Sequence, residues 1–519
     1  GDIAKSKGGY GKGAPSDLIR YVTWSGSAYD TEKKQQLKEY TSSLEKSTMV
    51  GMFGRVSYNY KQKYFASVTL RRDASSKFGE NTRWGTFPSY AIAYTFSEEP
   101  YMDWARDFMD HGKIRLSYGK SGKQFEHPYL AFGVLAPGTI PFHGNQTISP
   151  FWNDGLLNPK LSWEETRQFD AGLDLDFFNN RLGVVLDYYY RYTDKLLTLV
   201  SLPGDYNAYV AQWQNAYAIS NQGLELQIKA DLIQSEKLHW DINFNIARNW
   251  NRLEKSNNGM DFVNRVSAHN LNIIGKPLNG IYVYNDQGYY NSRDEIPSYY
   301  IDGKQRYLSP PGNQIYTPGD RRIQDVDGNG RIATSVPLLE DRVYGGSPLP
   351  LAFGGIATSL EWKNLDLNLL FSYKLGRHVL NAGRGASVGT TLKANTSEMM
   401  TPILADLDKI SFWQKPGDDT DFPVNELDNG KNNFATNLKS NIEKINYMKL
   451  KSISIGYTLP VFPKQSKHHA RVFMSVENVF TITNSSSPDP ESIDIVTGID
   501  SNNNYPLATR FTLGLTLNL

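Results

Sequence analysis

A short run of acidic and amide side chains is the clearest candidate for site chemistry in this sequence. Asp325, Asp327 and Asn329 occupy alternate positions and Gly330 follows them, as at the start of a calcium-binding loop. Alternate residues can direct their oxygens at one hard cation, and a glycine permits the sharp bend that this requires. We therefore predict a metal site formed by Asp325, Asp327 and Asn329 together with Asp341.

The far end of this motif departs from a complete calcium loop. The twelfth position of an EF-hand loop would be Val336, whose side chain has no oxygen. Asp341 supplies the missing carboxylate only if about five residues are inserted before it. The alternative is a turn held by side-chain to backbone hydrogen bonds, without a metal. Calcium is thus the one cofactor that the sequence suggests, and its role would be to rigidify a loop.

The chain shows no combination of residues typical of an enzyme active site. It has no cysteine, and none of its 8 histidines has the spacing of a zinc-binding motif. Neighbouring acids such as Glu98 and Glu99, or Asp418 and Asp419, would point to opposite faces of a strand. We interpret these acids as solvated charges of loops or turns, and we predict no catalytic residues.

The glycine-rich stretch at residues 8–13 has a superficial likeness to a phosphate-binding loop. No strand is predicted before it and no Gly-Lys-Ser/Thr follows it, so a nucleotide site is not indicated. We predict a flexible loop in this stretch.

The elements that must position these residues are β-strands. At the chain end Phe511, Leu513, Leu515, Leu517 and Leu519 alternate with polar residues or glycine, so the two kinds of residue lie on opposite faces of a strand. A segment of about ten residues crosses a bilayer at a tilt, and roughly fourteen such strands can be counted. The fold predicted is all-β, a transmembrane antiparallel β-barrel. The same alternation recurs at residues 113–118, 182–192, 241–246, 365–375 and 452–459.

Composition and connection lengths agree with this interpretation. No apolar run reaches the ~18 residues of a membrane helix. The net charge of +1 indicates no preference for nucleic acid. Tight turns are predicted at residues 179–180 and 362–364, whereas long polar connections span 121–163, 250–349 and 376–441. Short turns at one end and long loops at the other are typical of outer-membrane barrels. A soluble solenoid or sandwich remains the alternative at this point.

Several sequence blocks, taken in order, resemble the SusC/RagA family of TonB-dependent outer-membrane transporters. The first is VGMFGRVSYNY at 50–60, and the last is YPLATRFTLGL at 505–515, which looks like the closing strand of that family. Each block has moderate specificity, and their order along most of the chain makes the resemblance strong. The other blocks lie at 63–65, 71–79, 84–89, 113–119, 163–166, 221–226, 450–460 and 475–480.

The resemblance implies a barrel of about 22 strands with a plugged lumen, of which this chain holds only a part. No signal peptide, carboxypeptidase-like domain, TonB box or plug can be identified in it, so we expect residues 1–519 to be the C-terminal part of the barrel. The implied activity is import of an oligomeric nutrient, a glycan oligosaccharide or a peptide, across the bacterial outer membrane. The implied partners are a SusD-like surface lipoprotein, the TonB complex, an N-terminal fragment that completes the barrel, and the lipid bilayer.

Two other functional classes stay open. A surface adhesin or scaffold barrel that transports nothing would share the strands. A soluble all-β glycan-binding protein would share the alternation but would be released without detergent.

Overall fold

The computed structural model describes most of the chain as β-strand. The described residues are 2–12, 26–30, 35–126, 130–132, 135–142, 145–152, 156–202, 211–256, 262–265, 269–301, 303–310, 314–332, 341–384, 410–424, 431, 435–460, 469–501 and 505–518. The strands are β1 Asp2–Lys12, β2 Gly26–Asp30, β3 Gln35–Tyr60, β4 Tyr64–Ser75, β5 Trp84–Thr95, β6 Met109–Lys123, β7 Leu135–Phe142, β8 Asn145–Trp152, β9 Glu164–Phe177, β10 Leu182–Ser201, β11 Ala211–Gln234, β12 Leu238–Lys255, β13 Phe262–Arg265, β14 Asn270–Ile273, β15 Gly280–Tyr284, β16 Asp286–Tyr289, β17 Ser298–Ile301, β18 Lys304–Tyr307, β19 Arg321–Ile323, β20 Arg342–Gly346, β21 Ala352–Trp362, β22 Leu365–Asn381, β23 Ile442–Leu459, β24 His469–Thr483, β25 Ile499–Asp500 and β26 Arg510–Asn518. Short 3-10 helices span Glu80–Thr82, Phe96–Glu98, Pro100–Ala105, Arg293–Glu295 and Lys439–Asn441.

One large sheet contains most of these strands. Within the described residues it has 16 strands, in the order β1-β3-β4-β5-β6-β9-β10-β11-β12-β21-β22-β23-β24-β26, with β2 beside β3 and β25 beside β22. The neighbours along this path are antiparallel, and only the two-residue pairing of β25 with β22 is parallel. The predicted all-β antiparallel fold is therefore confirmed, and the fourteen strands on this path agree with the sequence estimate of roughly fourteen.

The two faces of this sheet differ as the alternation predicted. In β26 the apolar side chains of Phe511, Leu513, Leu515 and Leu517 are more than half exposed, although large apolar side chains normally avoid water. In β4, Val68 and Leu70 are about half exposed on the same outer face. An outer face of this composition suits contact with lipid acyl chains. Leu519 lies outside the described residues.

The connections confirm the predicted asymmetry between the two ends of the sheet. At one end, which we call the short-turn end, the chain reverses within residues 61–63, 178–181, 235–237 and 363–364. Asn179, Asn180 and Lys363 adopt positive φ there, which lets the strands reverse within a few residues. The opposite end, which we call the long-loop end, carries the connections from β6 to β9, from β12 to β21, from β22 to β23 and from β24 to β26.

The connection from β12 to β21 is a folded unit, not an extended polar loop. It contains β13 to β20, which form small sheets of their own. Beneath them lies an apolar cluster that includes Tyr290, Leu308, Tyr316 and Ile332, all at most 1% exposed. Burial of this cluster gives the long-loop end its own core, which can hold polar groups in fixed positions.

The N-terminal glycine-rich stretch was predicted incorrectly. Residues 8–12 belong to β1, whose Gly8 pairs with Ser43 of β3, whereas Gly13 lies outside the described residues. Glycine weakens a strand but does not prevent one, because pairing with a neighbouring strand satisfies its backbone groups. No helix in the described part of the chain is long and apolar enough to cross a membrane.

Candidate functional site

The predicted metal motif forms a compact cluster of carboxylates at the long-loop end. Asp325, Asp327 and Asp341 each place a carboxylate oxygen within 4.8 Å of the others. Asp341 is 1% exposed, and its Oδ1 accepts a hydrogen bond of 3.1 Å from the backbone N–H of Val326. The structure thus brings Asp341 to the motif across residues 333–340, which lie outside the described residues and include Val336.

Backbone hydrogen bonds hold the turn in this conformation. Asp325 accepts N–H donors from Gly328 at 2.8 Å and from Gly330 at 2.9 Å, and both glycines have positive φ. The side chain of Asn329, the fourth predicted ligand, takes part in the turn: its NH₂ donates to Asp327 at 2.8 Å and its side-chain carbonyl accepts from the Arg331 N–H at 2.8 Å. The three carboxylates converge, whereas the Asn329 carbonyl serves the turn itself.

The negative charge of the three carboxylates has a tyrosine and an arginine among its neighbours. Burial, followed by a hydrogen bond to the Asp325 carboxylate, raises the pKa of Tyr299 to about 12. Arg342, directly after Asp341, places its guanidinium 5.5 Å from the ring centroid of Tyr284. Three carboxylates this close repel one another, and oxygen donors are the ligands that Ca²⁺ prefers. The residues present therefore fit a hard divalent cation. The carboxylate oxygens that accept hydrogen bonds from the backbone keep further lone pairs with which to bind it.

A second site, which the sequence did not predict, is a polar cavity of about 620 Å³ at the long-loop end. Its wall includes the buried ion pair of Arg321 and Asp286, whose Nη1 and Oδ2 atoms are 2.9 Å apart. Arg384 lies 3.4 Å from Asp421 at another part of the wall. The other lining residues are Gln287, Gly288, Tyr289, Asn291, Glu295, Arg322, Gly417, Asp418, Asp419, Thr420, Phe422, Ser440 and Asn441.

Hydrogen bonds hold two acids of this cavity, Asp418 and Asp421, as anions. The hydroxyl and backbone N–H of Ser411 donate to Asp421 and lower its pKa. The backbone N–H groups of Lys415 and Gln414 do the same for Asp418. The interpretation of Asp418 as a turn charge agrees with these bonds. No sequence motif could reveal the cavity, because its residues come from five separated parts of the chain.

The inner face of the large sheet is polar and joined by ion pairs between strands. Arg115 of β6 contacts Asp174 of β9 at 2.7 Å and Asp187 of β10 at 2.9 Å. Arg471 of β24 donates from Nε to Asp366 of β22 at 2.9 Å. An apolar outer face and a polar inner face distinguish a membrane barrel from a soluble sandwich, whose inner face is apolar.

Comparison with known proteins identifies the family of this chain. Residues 5–397 match the family described as TonB dependent receptor-like, beta-barrel. The chain belongs to this family. The protein is therefore located in the bacterial outer membrane. The outer row of apolar side chains that includes Leu513 and Leu515 is the lipid-facing surface of the TonB-dependent receptor barrel.

Curated relatives of this TonB-dependent receptor barrel match nearly the whole chain. TonB-dependent receptor P3 of Formosa agariphila is 29% identical over 98% of this chain and 49% of its own length. TonB-dependent receptor SusC of Bacteroides thetaiotaomicron is 27% identical over 93% of this chain and 45% of its own length. The chain thus spans about half the length of the curated relatives that it matches.

Solved structures agree on the fold. The RagAB peptide transporter superposes with a TM-score of 0.70 at 22% identity, over 92% of this chain and 48% of that one. The RagAB peptide importer in its closed-closed state gives 0.69, over 99% of this chain and 52% of that one. At this identity the likeness establishes a shared β-barrel architecture.

Proposed function

We propose that this chain forms the C-terminal wall of a TonB-dependent importer for an oligomeric nutrient. The observation that carries the proposal is the family match over residues 5–397, because this stretch includes lipid-facing side chains of β4 and the ion pairs that join β6, β9 and β10 on the polar inner wall. A polar lumen suits solutes that are too large and too hydrophilic to cross the bilayer. The chemistry is binding and gated passage, and the solute leaves the protein unchanged.

The gate and the energy source lie in other parts of the proposed assembly. A plug domain and a TonB box, supplied by an N-terminal region or fragment that completes the barrel, would respond to the TonB complex of the inner membrane. A SusD-like surface lipoprotein would close over the long-loop end and trap the solute there. The RagAB peptide transporter and SusC support this arrangement through their similarity to the chain.

The polar cavity at the long-loop end is the best candidate for first contact with the solute. It offers carboxylates of Glu295, Asp419 and Asp421 and the guanidinium groups of Arg322 and Arg384. Groups of both signs can bind hydroxyl groups of a glycan or the charged groups of a peptide. The cavity therefore favours a polar oligomer as solute and leaves both of these classes as candidates.

We expect uptake to depend on the proton gradient and on this protein. Cells that express the native protein should accumulate a fluorescent oligosaccharide or peptide, and a protonophore or deletion of the gene should abolish the uptake. Purification from native membranes should recover a surface lipoprotein and a plug-bearing fragment. Binding to the cell surface that is lost on deletion, yet unaffected by the protonophore and without accumulation, would instead identify an adhesin or scaffold barrel.

We also propose that the cluster of Asp325, Asp327 and Asp341 binds Ca²⁺ and thereby rigidifies its extracellular loop. Isothermal titration of the purified protein should show saturable calcium binding that Asp327→Asn weakens by about tenfold or more, because one of three charged ligands is lost. Asp419→Asn, which alters an exposed acid outside the cluster, is the matched control. Equal binding by all three proteins, or no saturable heat from any of them, would contradict the calcium site. The alternative, a turn held by hydrogen bonds without a metal, would then stand.

A further inference from the structure

Two arginines stand on the lipid-facing surface, where apolar residues otherwise dominate. Arg72 of β4 follows Val68 and Leu70 at alternate positions and pairs with Met52, all of them exposed on the outer face. Arg248 of β12 pairs with Leu224, which is 46% exposed on the same face. A charged side chain among lipid-facing residues is costly at the bilayer centre, so its height in the membrane decides whether it is tolerated.

Both arginines lie near the long-loop end of their strands. Arg72 is eight residues beyond Tyr64, and Arg248 is ten residues beyond Leu238, which begin their strands at the short-turn end. With a rise of ~3.3 Å per residue and a tilt of ~40°, these separations place them roughly 20 and 25 Å above that end. The apolar band of a barrel is about 25 Å tall, so the backbone of Arg248 lies at its upper edge and that of Arg72 a few ångströms below it. The long arginine side chain extends towards the interface, so both guanidinium groups reach the head-group level of the outer leaflet.

Each arginine stacks on an exposed tryptophan at the same level. The guanidinium carbon of Arg72 is 4.9 Å from the ring centroid of Trp84, and that of Arg248 is 4.4 Å from Trp250. Tryptophan prefers the boundary between acyl chains and head groups. Stacking on a ring face holds a guanidinium flat and leaves its N–H donors directed outward in their plane.

Neither guanidinium is neutralised by an acid in the described part of the chain. Other cations on this rim have such partners: Arg252 lies 3.8 Å from Glu254, and Lys255 lies 3.8 Å from Asp194. Among the described residues no carboxylate comes within 4.0 Å of Arg72 or Arg248. Two unneutralised cations at head-group level attract anionic groups from the lipid side.

Space for such a group adjoins Arg248. A groove of about 440 Å³ runs beside its stacked ring, with Tyr344, Leu349, Leu351 and His378 among its lining residues. Leu351 is 47% exposed and Tyr344 is 44% exposed, so the groove opens to the outside and offers apolar walls next to a cation.

We propose that the Arg72–Trp84 and Arg248–Trp250 pairs are binding sites for phosphate-bearing lipids of the outer leaflet. The planar guanidinium group matches two phosphate oxygens with two parallel N–H donors, and the tryptophan contacts the adjoining acyl or sugar portion. The Arg248 groove accepts the larger part of a lipid, whereas Arg72 contacts a head group on the open surface. The proposal concerns the lipid-facing wall and does not depend on transport.

The test is native mass spectrometry of the full transporter, purified in zwitterionic detergent and titrated with bisphosphorylated lipid A. Arg72→Gln and Arg248→Gln should each weaken lipid binding about fivefold, the usual contribution of one basic residue at an anionic lipid surface. Arg106→Gln is the matched control, because Arg106 is exposed at the short-turn end and pairs with Asp103 at 2.8 Å. It should bind lipid as the native protein does.

Further measurements in the same experiment identify the chemical group of the lipid that the two sites bind. Lipid A without its phosphates should bind no better to the native protein than to the double glutamine variant. Arg72→Lys and Arg248→Lys should retain more lipid than the glutamine variants. If the glutamine variants fail to fold, the lysine variants replace them in the test. Equal binding of both lipids, equal loss in Arg106→Gln, or displacement of lipid by inorganic phosphate at an equal concentration would each overturn the proposal.

Discussion

Replacing Lys449 by methionine is expected to destabilise the long-loop end by about 3 to 5 kcal/mol, the usual cost of removing one partner from a buried ion pair. The Lys449 ammonium lies 3.0 Å from Asp489 and 3.2 Å from Glu491. The side chains of Lys449 and Asp489 are only 3% and 6% exposed, so the loss of the ammonium leaves a buried carboxylate with backbone donors alone. The measurement is chemical unfolding of the purified protein in detergent.

Lys451→Met is the control for this experiment. Lys451 contacts the same Glu491 at 2.6 Å, but its side chain is 31% exposed. Water therefore replaces the lost contact, and we expect a change below about 1 kcal/mol. Equal effects of the two substitutions would show that burial does not determine the strength of these contacts.

The pH dependence of stability gives a second readout of the same pair. Burial raises the pKa of Asp489, but hydrogen bonds from Lys449 and from the backbone N–H groups of Glu491 and Leu507 outweigh it and lower the pKa overall. A carboxyl group with a lowered folded-state pKa contributes stability above its unfolded-state pKa, and this contribution is lost as the pH falls through the folded-state value. In Lys449→Met the pKa of Asp489 rises, so the acid-induced loss of stability that this carboxyl group contributes should be smaller than in the native protein.

The sequence predicted what depends on local periodicity and left out what depends on distant contacts. The alternation in residues 510–518 revealed a strand with one apolar face, because the two faces of a strand follow directly from side-chain order. The pairing of Lys449 with Asp489 could not be foreseen, since 40 residues separate them and only the folded loop brings them together. Local order also explains why the folded unit between β12 and β21 was mistaken for a loop, because its strands are too short to show a clear period.

The metal motif lies between these two cases. Asp325 and Asp327 could be identified from spacing within one turn, and the turn has the hydrogen bonds that such spacing permits. The inclusion of Asp341 required a guess about an insertion, and the structure places its carboxylate within 4.8 Å of those of Asp325 and Asp327. Asn329 shows the limit of motif reasoning, because an amide can satisfy a turn with the same atoms that would bind a cation.

Replacing Leu513 by arginine is expected to destabilise the barrel in lipid by about 2 to 4 kcal/mol, the cost of an arginine facing acyl chains near the bilayer midplane. Leu513 lies in the middle of β26, is 78% exposed and pairs with Met474, which is 47% exposed on the same outer face. Its neighbour Thr512 points to the inner face, where water and polar side chains accept a guanidinium group. Thr512→Arg is therefore the matched control, with an expected change near zero.

Urea titration of the complete transporter, refolded into phospholipid vesicles, measures both variants against the native protein. The difference between them depends on which face of β26 meets lipid, because the two positions are adjacent in the chain and receive the same side chain. In detergent micelles, where water reaches the protein more easily, the difference should shrink. Equal destabilisation by both variants in vesicles would contradict the assignment of the outer face, and with it the barrel orientation on which the lipid sites at Arg72 and Arg248 rest.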